Sequence, residues 1–572
     1  MKSSYVIGFV ISALAITLVL EAFEKPAASP QKMGKGIAVF CAPSFDAAKL
    51  KEGKAPLIKG LGNLHYKITT RSKLAQRYFD QGLTLIYAFN HGEAARSFQE
   101  VIRLDSTAAM GWWGMAMVLG PNYNAALNPS SLEEINQAME KARKYYLNAT
   151  AKERALVTAL AKRFPTEAVK DMTPYNTAYA AAMKEVYEQY PGDAEIAVLY
   201  ADALMNEHPW NLYLKDGSAQ PWTAAIEQQL EKTMAAYPNH PGAIHLYLHA
   251  VEASRTAQKA VPAARRLLNM LPAAGHLVHM PAHIYIRTGN YHEGVEATEK
   301  ARLSDSNYIN QCQSQGTYPL LYYPHNIHFL AACAFLEGNS KKAIEAAWGV
   351  SRNADRKYLA LSGTVQHYYI IPYYVLVHLG KWDDILAIPA PGESLQYPRA
   401  IWHYARGMAL AAKGRLPEAR QALKTLQGYA ADESLRSLLV WETNSSLDLI
   451  TIAALTLEGE LLSHEGQYNE AIVLLQRAAE MEDKLNYQEP PDWFFSVRHT
   501  LGDVLLQAKR YPEAEKVYRE DLVNLPENGW GLMGLFNSLR EQQRSTEAAA
   551  VKARFDKAWQ WADITITGSR KY

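Results

Sequence analysis

Small and apolar residues recur along this chain with a period of 34 residues. The clearest unit sets Gly502, Ala514, Tyr518 and Pro526 at its positions 8, 20, 24 and 32. The same spacing returns in Gly82, Ala94, Phe98 and Val101, in Gly407, Ala419 and Leu423, and in Gly459, Ala471, Leu475 and Ala478. It returns less fully in Leu248, Ala260, Ala264 and Pro272, in Ala282, Gly294 and Ala301, and in Ala331, Ala343 and Ala347. The pattern predicts two antiparallel helices per unit. Positions 8 and 20 lie where those helices touch, so only a small side chain fits there. Proline at position 32 stops the second helix, because it lacks an amide proton and clashes with the preceding turn. Gly-Asn-Tyr at 289–291, Gly-Lys-Trp at 380–382 and Gly-Gln-Tyr at 466–468 punctuate the helices. Strand-like alternation of useful length is absent.

This register resembles that of the tetratricopeptide repeat (TPR) family. The resemblance implies an all-α, right-handed superhelical solenoid of about eleven antiparallel helix pairs, running from about Lys73 to Trp561. Residues 73–400 are expected to form an amino-terminal solenoid and residues 401–572 a set of carboxyl-terminal repeats. Two long connections are expected, one over Glu207–Gln220 with His208-Pro209-Trp210, and one over about Ser304–Pro324. Ahead of the repeats, Lys2 precedes an apolar run from Tyr5 to Leu20. That length suits a secretory segment better than a membrane span of roughly 20 residues. Residues 1–24 are therefore expected to be a signal peptide or membrane anchor, and residues 25–72 a linker. The remainder is expected to be exported, periplasmic or tethered by that segment.

Composition narrows the partners. The 572 residues carry a net charge of +1 and no block of like charge, so nothing favours a nucleic-acid backbone. The three cysteines, Cys41, Cys312 and Cys333, have no zinc-finger or redox spacing.

Histidine changes the picture. Of 17 histidines, eleven fall between His240 and His378. His245, His279 and His328 share repeat position 5, His249 and His283 share position 9, and His276, His325 and His367 share position 2. Positions 2, 5 and 9 form one face of a unit's first helix, and in TPR proteins that face lines the concave groove. Glu252, at position 12, adds a carboxylate to the same face. Helices packed roughly 8–10 Å apart can bring such imidazoles to a common ion about 2.0–2.1 Å from each nitrogen. The expected ligand set is His245, His249, Glu252, His276, His279, His283, His325 and His328, holding one ion or two. A nitrogen-rich set suits zinc, copper, iron or nickel and not magnesium or calcium. Pro281 is expected to set His276 and His279 on an irregular entry turn. Two other readings stand beside the metal: a groove that binds an acidic or aromatic peptide, and structural packing.

Four blocks resemble a group of exported bacterial TPR proteins: Phe89-Asn-His-Gly-Glu-Ala94, Gly120-Pro-Asn-Tyr-Asn-Ala125, His240 to Ser254, and Ala274 to Tyr285. The resemblance implies fold and exported address and carries no activity. His91 and Glu93 are expected at a capping and packing turn, and Trp112-Trp113 and Phe494-Phe495 at helical core positions. His292-Glu293 and His464-Glu465 lack the second histidine of His-Glu-x-x-His, and no phosphate loop or Gly-x-Ser-x-Gly elbow is present. Two function classes follow. One is a metal-binding envelope protein with Glu252 as a possible general base. The other is a scaffold that binds a protein or peptide partner.

Overall fold

The computed structural model describes residues 54–312 and 318–571. The expectations for residues 1–24 and for the linker up to residue 53 lie outside the described residues. No helix among those described is long and apolar enough to cross a membrane. The chain is an all-α solenoid in which antiparallel pairs follow one another from Lys73–Tyr87 with His91–Leu104 to Gly529–Glu541 with Ser545–Ala558. The strands among the described residues are two short ones, Leu439–Val440 and Asn444–Ser445.

The glycines explain how the pairs lock together. A methyl group on Gly82 would lie 2.7 Å from the Phe98 ring, and one on Gly114, in the next pair, 2.4 Å from the same ring. Tyr518 is held likewise between Gly502 and Gly534, at 2.4 and 2.2 Å. Each position-24 ring therefore fills a slot made by glycines of its own unit and the following one. At Gly82, Gly459 and Gly502 the close contact of position 8 is with position 24, whereas at Gly407 it is with Leu457.

Residues 54–72 run without helix and bury Ala55, Leu61, Tyr66 and Ile68 against the first units. The Glu207–Gln220 connection is a folded loop, tied by a Tyr213–Ala219 bridge. The expected connection over Ser304–Pro324 is mostly helical instead. The Tyr291–Cys312 helix overshoots its partner, and a π-helical turn at Tyr318–Tyr322 leads straight into the Tyr323–Leu336 helix. The buried Asp305 carboxylate anchors that overshoot by accepting from Tyr318 Oη at 2.6 Å and from Asn326 Nδ2. Phe494 and Phe495 also depart from expectation. They are buried, but in the non-helical segment before the Val497–Gln507 helix.

Two apolar cores form, one over residues 55–297 and one over residues 282–566, and they meet in the Ala282–Ala297 stretch. There the chain returns upon itself. Tyr291 Oη donates to Pro526 O at 2.7 Å, and Arg287 Nη1 to Asn524 O at 3.0 Å.

Candidate metal centre

The histidine face sits at that junction. His245 and His249 project from the Pro241–Val251 helix, which starts at Pro241 under an N-cap in which the His240 ring accepts from Ala243 N. His276 and His279 lie in the Gly275–His279 helix, and His283 lies in Pro281–Thr288. Met280, between them, keeps right-handed helical angles of φ −50° and ψ −35°. Pro281 occupies a first-turn position where proline is tolerated. The two segments therefore present one face, and His276, His279 and His283 stay in helical register. His325 and His328 come from Tyr323–Leu336.

Six of these imidazoles form two triads. His245, His249 and His276 offer nitrogens within 4.8 Å of one another, and so do His279, His283 and His325. The first triad has ring separations of 4.8, 4.9 and 5.9 Å. The second has 4.7, 4.9 and 5.7 Å. Each takes positions 5 and 9 of one unit and position 2 of the next. One repeat step therefore converts the first site into the second. The closest nitrogen pairs are His245 Nε2 to His276 Nε2 at 3.1 Å and His279 Nε2 to His283 Nε2 at 2.8 Å. A tetrahedral ion at 2.0–2.1 Å from each nitrogen holds two of them roughly 3.3 Å apart, so these pairs are spaced for a shared ion.

Three of the six opposite ring nitrogens face oxygen atoms, the arrangement that orients a metal-ligating histidine, while Nδ1 of His276, His279 and His325 is buried without a hydrogen-bond partner. His245 Nδ1 is 2.6 Å from Tyr87 O, and His249 Nδ1 is 2.7 Å from Glu252 Oε1. His283 Nδ1 lies 2.5 Å from Glu252 Oε2 and 3.2 Å from Glu489 Oε2, as ion-pair contacts outside good hydrogen-bond geometry. Glu252 thus joins the two triads and is fully buried. Burial alone would raise its carboxyl, but His283 and His249 hold it low, so it is ionised. Burial likewise lowers His283, yet Glu252 and Glu489 overcome this and push it up. Burial, reinforced by neighbouring imidazoles, pushes His245, His276, His279 and His325 well down. Neutral imidazoles with free lone pairs are the form a metal needs, so His283, which its carboxylates favour protonated, has to lose a proton to join a metal.

Two expectations change. His328 stands outside both triads, 5.8 Å from the His367 ring and stacked on Phe494 at 4.9 Å. Glu252, expected as a possible general base, has both oxygens against imidazoles, an arrangement that orients ligands. The carboxyl-terminal repeats, which carry none of the histidine belt, supply Glu489, Tyr487 and Trp441. Nothing in the local pattern marks those three, since the superhelix brings them back across the sequence. Trp210, Trp441 and Tyr487 line the same chamber as His249, His276, His283 and His325.

The four sequence blocks converge here. Phe89, at φ +50°, packs its ring 4.5 Å from His245 and 5.5 Å from His276. His91 accepts from Asn122 Nδ2 through Nε2 at 3.2 Å, with Nδ1 3.1 Å from Val118 O, which fixes the 120–125 turn. Burial lowers His91 to about 4, in keeping with the expected packing role. Tyr123 on that turn reaches His249 at 5.5 Å and Trp210 at 5.2 Å.

No family model and no curated protein matches the sequence. Solved structures do. The human IFIT1 dimer with m7Gppp-AAAA aligns at 13% identity over 87% of this chain and 92% of that one, with a TM-score of 0.31. Yeast Tom70 aligns at 12% identity over 85% and 90%, with a TM-score of 0.28. The P58(IPK) TPR domain aligns at 12% over 82% and 99%, with a TM-score of 0.22. Likenesses this distant carry no argument about the centre. The chain is a tetratricopeptide-like solenoid by its own helix pairs and glycine–aromatic packing.

Proposed function

We propose that this protein binds two transition-metal ions, one in each histidine triad. The carrying observation is the pair of matched triads, related by one repeat step, each with one Nε2–Nε2 pair, at 3.1 and 2.8 Å, while Nδ1 of His245, His249 and His283 faces Tyr87 O, Glu252 and Glu489. All-imidazole donation suits zinc, copper, iron or nickel. Such ions act as Lewis acids or activate bound water. The chain's own part is to fix three nitrogens per ion, hold Glu252 ionised between the sites, and exclude bulk water with Phe89 and Trp441. The apolar run Tyr5–Leu20 supports an address outside the cytoplasm.

The test is metal analysis of full-length protein purified without chelator and equilibrated with zinc. Two ions per chain are expected. His249→Ala and His279→Ala should each lower the count to one with unchanged helical circular dichroism. Glu252→Gln should weaken binding about 10- to 100-fold. A count of zero would return the belt to simple packing.

A further inference from the structure

After the Ser545–Ala558 helix, residues 564–571 lie against the first helices of three successive carboxyl-terminal units, Ser446–His464, Val497–Gln507 and Gly529–Glu541. Asn537 Nδ2 donates to Thr567 O at 2.7 Å. Ser569 Oγ donates to His499 O at 2.7 Å and lies 2.8 Å from Tyr518 Oη. Arg570 then reaches inward. Its Nη2 and Nε stand 2.9 and 3.0 Å from Asp503 Oδ2, and its Nη1 donates to Glu460 Oε2. Ser569 and Arg570 are both buried.

The repeat register gives these contacts a pattern. Glu460 and Asp503 each follow the position-8 glycine of their unit, so they share position 9 with His249 and His283. His499 shares position 5 with His245 and His279. The face that carries imidazoles in the middle units carries carboxylates here, and the two carboxylates converge on one guanidinium.

Such an arrangement selects a ligand more than it fastens a fold. A buried ion cluster adds little net stability over well-packed apolar residues, whereas removing one partner from it is strongly destabilising. Burial alone would raise the Glu460 carboxyl, but Arg570 and His464 hold it low, so it is ionised. Without the guanidinium, Glu460 is left with His464 at 3.2 Å, and Asp503 with Gln507 at 2.8 Å. The face therefore requires a planar cation with several donors, which an ammonium does not match. Ile566 is the one buried apolar side chain among residues 564–571.

The segment also leaves part of the face unused. A cavity of about 40 Å³ continues past Arg570, bordered by Glu460, His378, Trp382 and Trp493. Among the described residues, Trp382 Nε1 and His378 Nε2 are buried there without a hydrogen-bond partner. A longer occupant would meet both nitrogens.

We propose that this face is a binding site for an extended peptide carrying a Ser-Arg pair, and that residues 564–571 are its resident ligand, exchangeable for the same chemistry on a partner protein. The proposal stands apart from the metal reading, because none of its residues belongs to either triad.

The test follows the fluorescence anisotropy of an end-blocked, labelled peptide with the sequence of residues 564–571, Ile-Thr-Ile-Thr-Gly-Ser-Arg-Lys. It is titrated with the wild-type protein, with full-length Arg570→Ala, and with a variant ending at Asp563. Both variants should bind it at least tenfold tighter than wild type, whose own segment competes. Alanine in place of the peptide's arginine should weaken binding at least tenfold, and lysine there should not restore it. Adding Glu460→Gln and Asp503→Asn to Arg570→Ala should abolish binding. Helical circular dichroism establishes folding, and full-length Arg570→Ala carries the test if the shorter variant does not fold. Absence of binding to every folded variant, or binding indifferent to the peptide's arginine, would overturn the proposal. So would wild-type protein that binds as tightly as the variants.

Discussion

At the scale of single residues, most buried histidines here have an evident employer, and the exceptions are informative. His240 caps a helix and pairs with Glu195 at 3.0 Å, and His499 lies 3.1 Å from Asp521. Of the triad histidines, His245, His249 and His283 face oxygen atoms through Nδ1, while Nδ1 of His276, His279 and His325 is left unpaired. Asp305 is the most instructive buried acid near them. Burial pushes its carboxyl from an ordinary value of 3.8 up to about 7, against the pull of Tyr318 and Asn326. A raised folded pKa favours the neutral form in the folded state. The associated stability is therefore full below about pH 3.8, falls as pH rises through about 7, and is level above that. Asp305→Asn removes the ionisation, with the Asn326 amide turning to present its oxygen. Urea unfolding of the variant should lack this fall between pH 4 and 7, a difference of at most roughly 4 kcal/mol. A wild-type curve parallel to that of the variant would disprove the assignment.

At the scale of elements, the glycine–aromatic slot is the unit of cohesion. Gly502→Ala puts a methyl 2.4 Å from the Tyr518 ring, which cannot retreat because Gly534 contacts its other side. Overpacking of this kind costs about 1–3 kcal/mol, read as a lower urea midpoint at unchanged slope. A change within about 0.3 kcal/mol would mean that the slot is loose. This slot also shows what the sequence disclosed. The small–aromatic spacing revealed helix pairs, and shared positions 2, 5 and 9 revealed the histidine face, because both follow from period alone. The split into two triads was hidden, since it depends on how far one first helix is displaced from the next. The overshooting Tyr291–Cys312 helix was hidden as well. Its Tyr, Gln and Asn content resembles a loop, and the contacts of Asp305 with Tyr318 and Asn326 and of Tyr308 with Asn90 hold the helix.

For the molecule as a whole, stability depends on contacts between units distant in sequence. Asp563 accepts from Ser340 N at 2.7 Å and from Lys341 N at 3.1 Å, capping a helix more than 200 positions earlier. Trp530 Nε1 donates to Phe335 O at 3.3 Å over a comparable gap. Asp563→Ala should cost about 1 kcal/mol, as loss of an N-terminal cap does, and should speed hydrogen exchange at the start of the Ser340–Asn353 helix. Exchange unchanged there would show that Asn339 suffices alone. The same closure delivers Glu489, Tyr487 and Trp441 to the centre, which no reading of neighbouring residues could have found.

The register of the triads has an arithmetic consequence for how such a centre grows. Each site borrows its third ligand from the following unit, so a unit can never complete a site by itself. Tandem copying of one unit therefore adds one whole site per copy, and the last unit in any such row is always left one partner short. Here the row ends where Ala332 stands at position 9 beside His328, so the next site lacks its second member although His367 waits in the unit beyond. A chain of this kind gains histidine triads by counting repeats, and loses them by a single substitution at the end of the row.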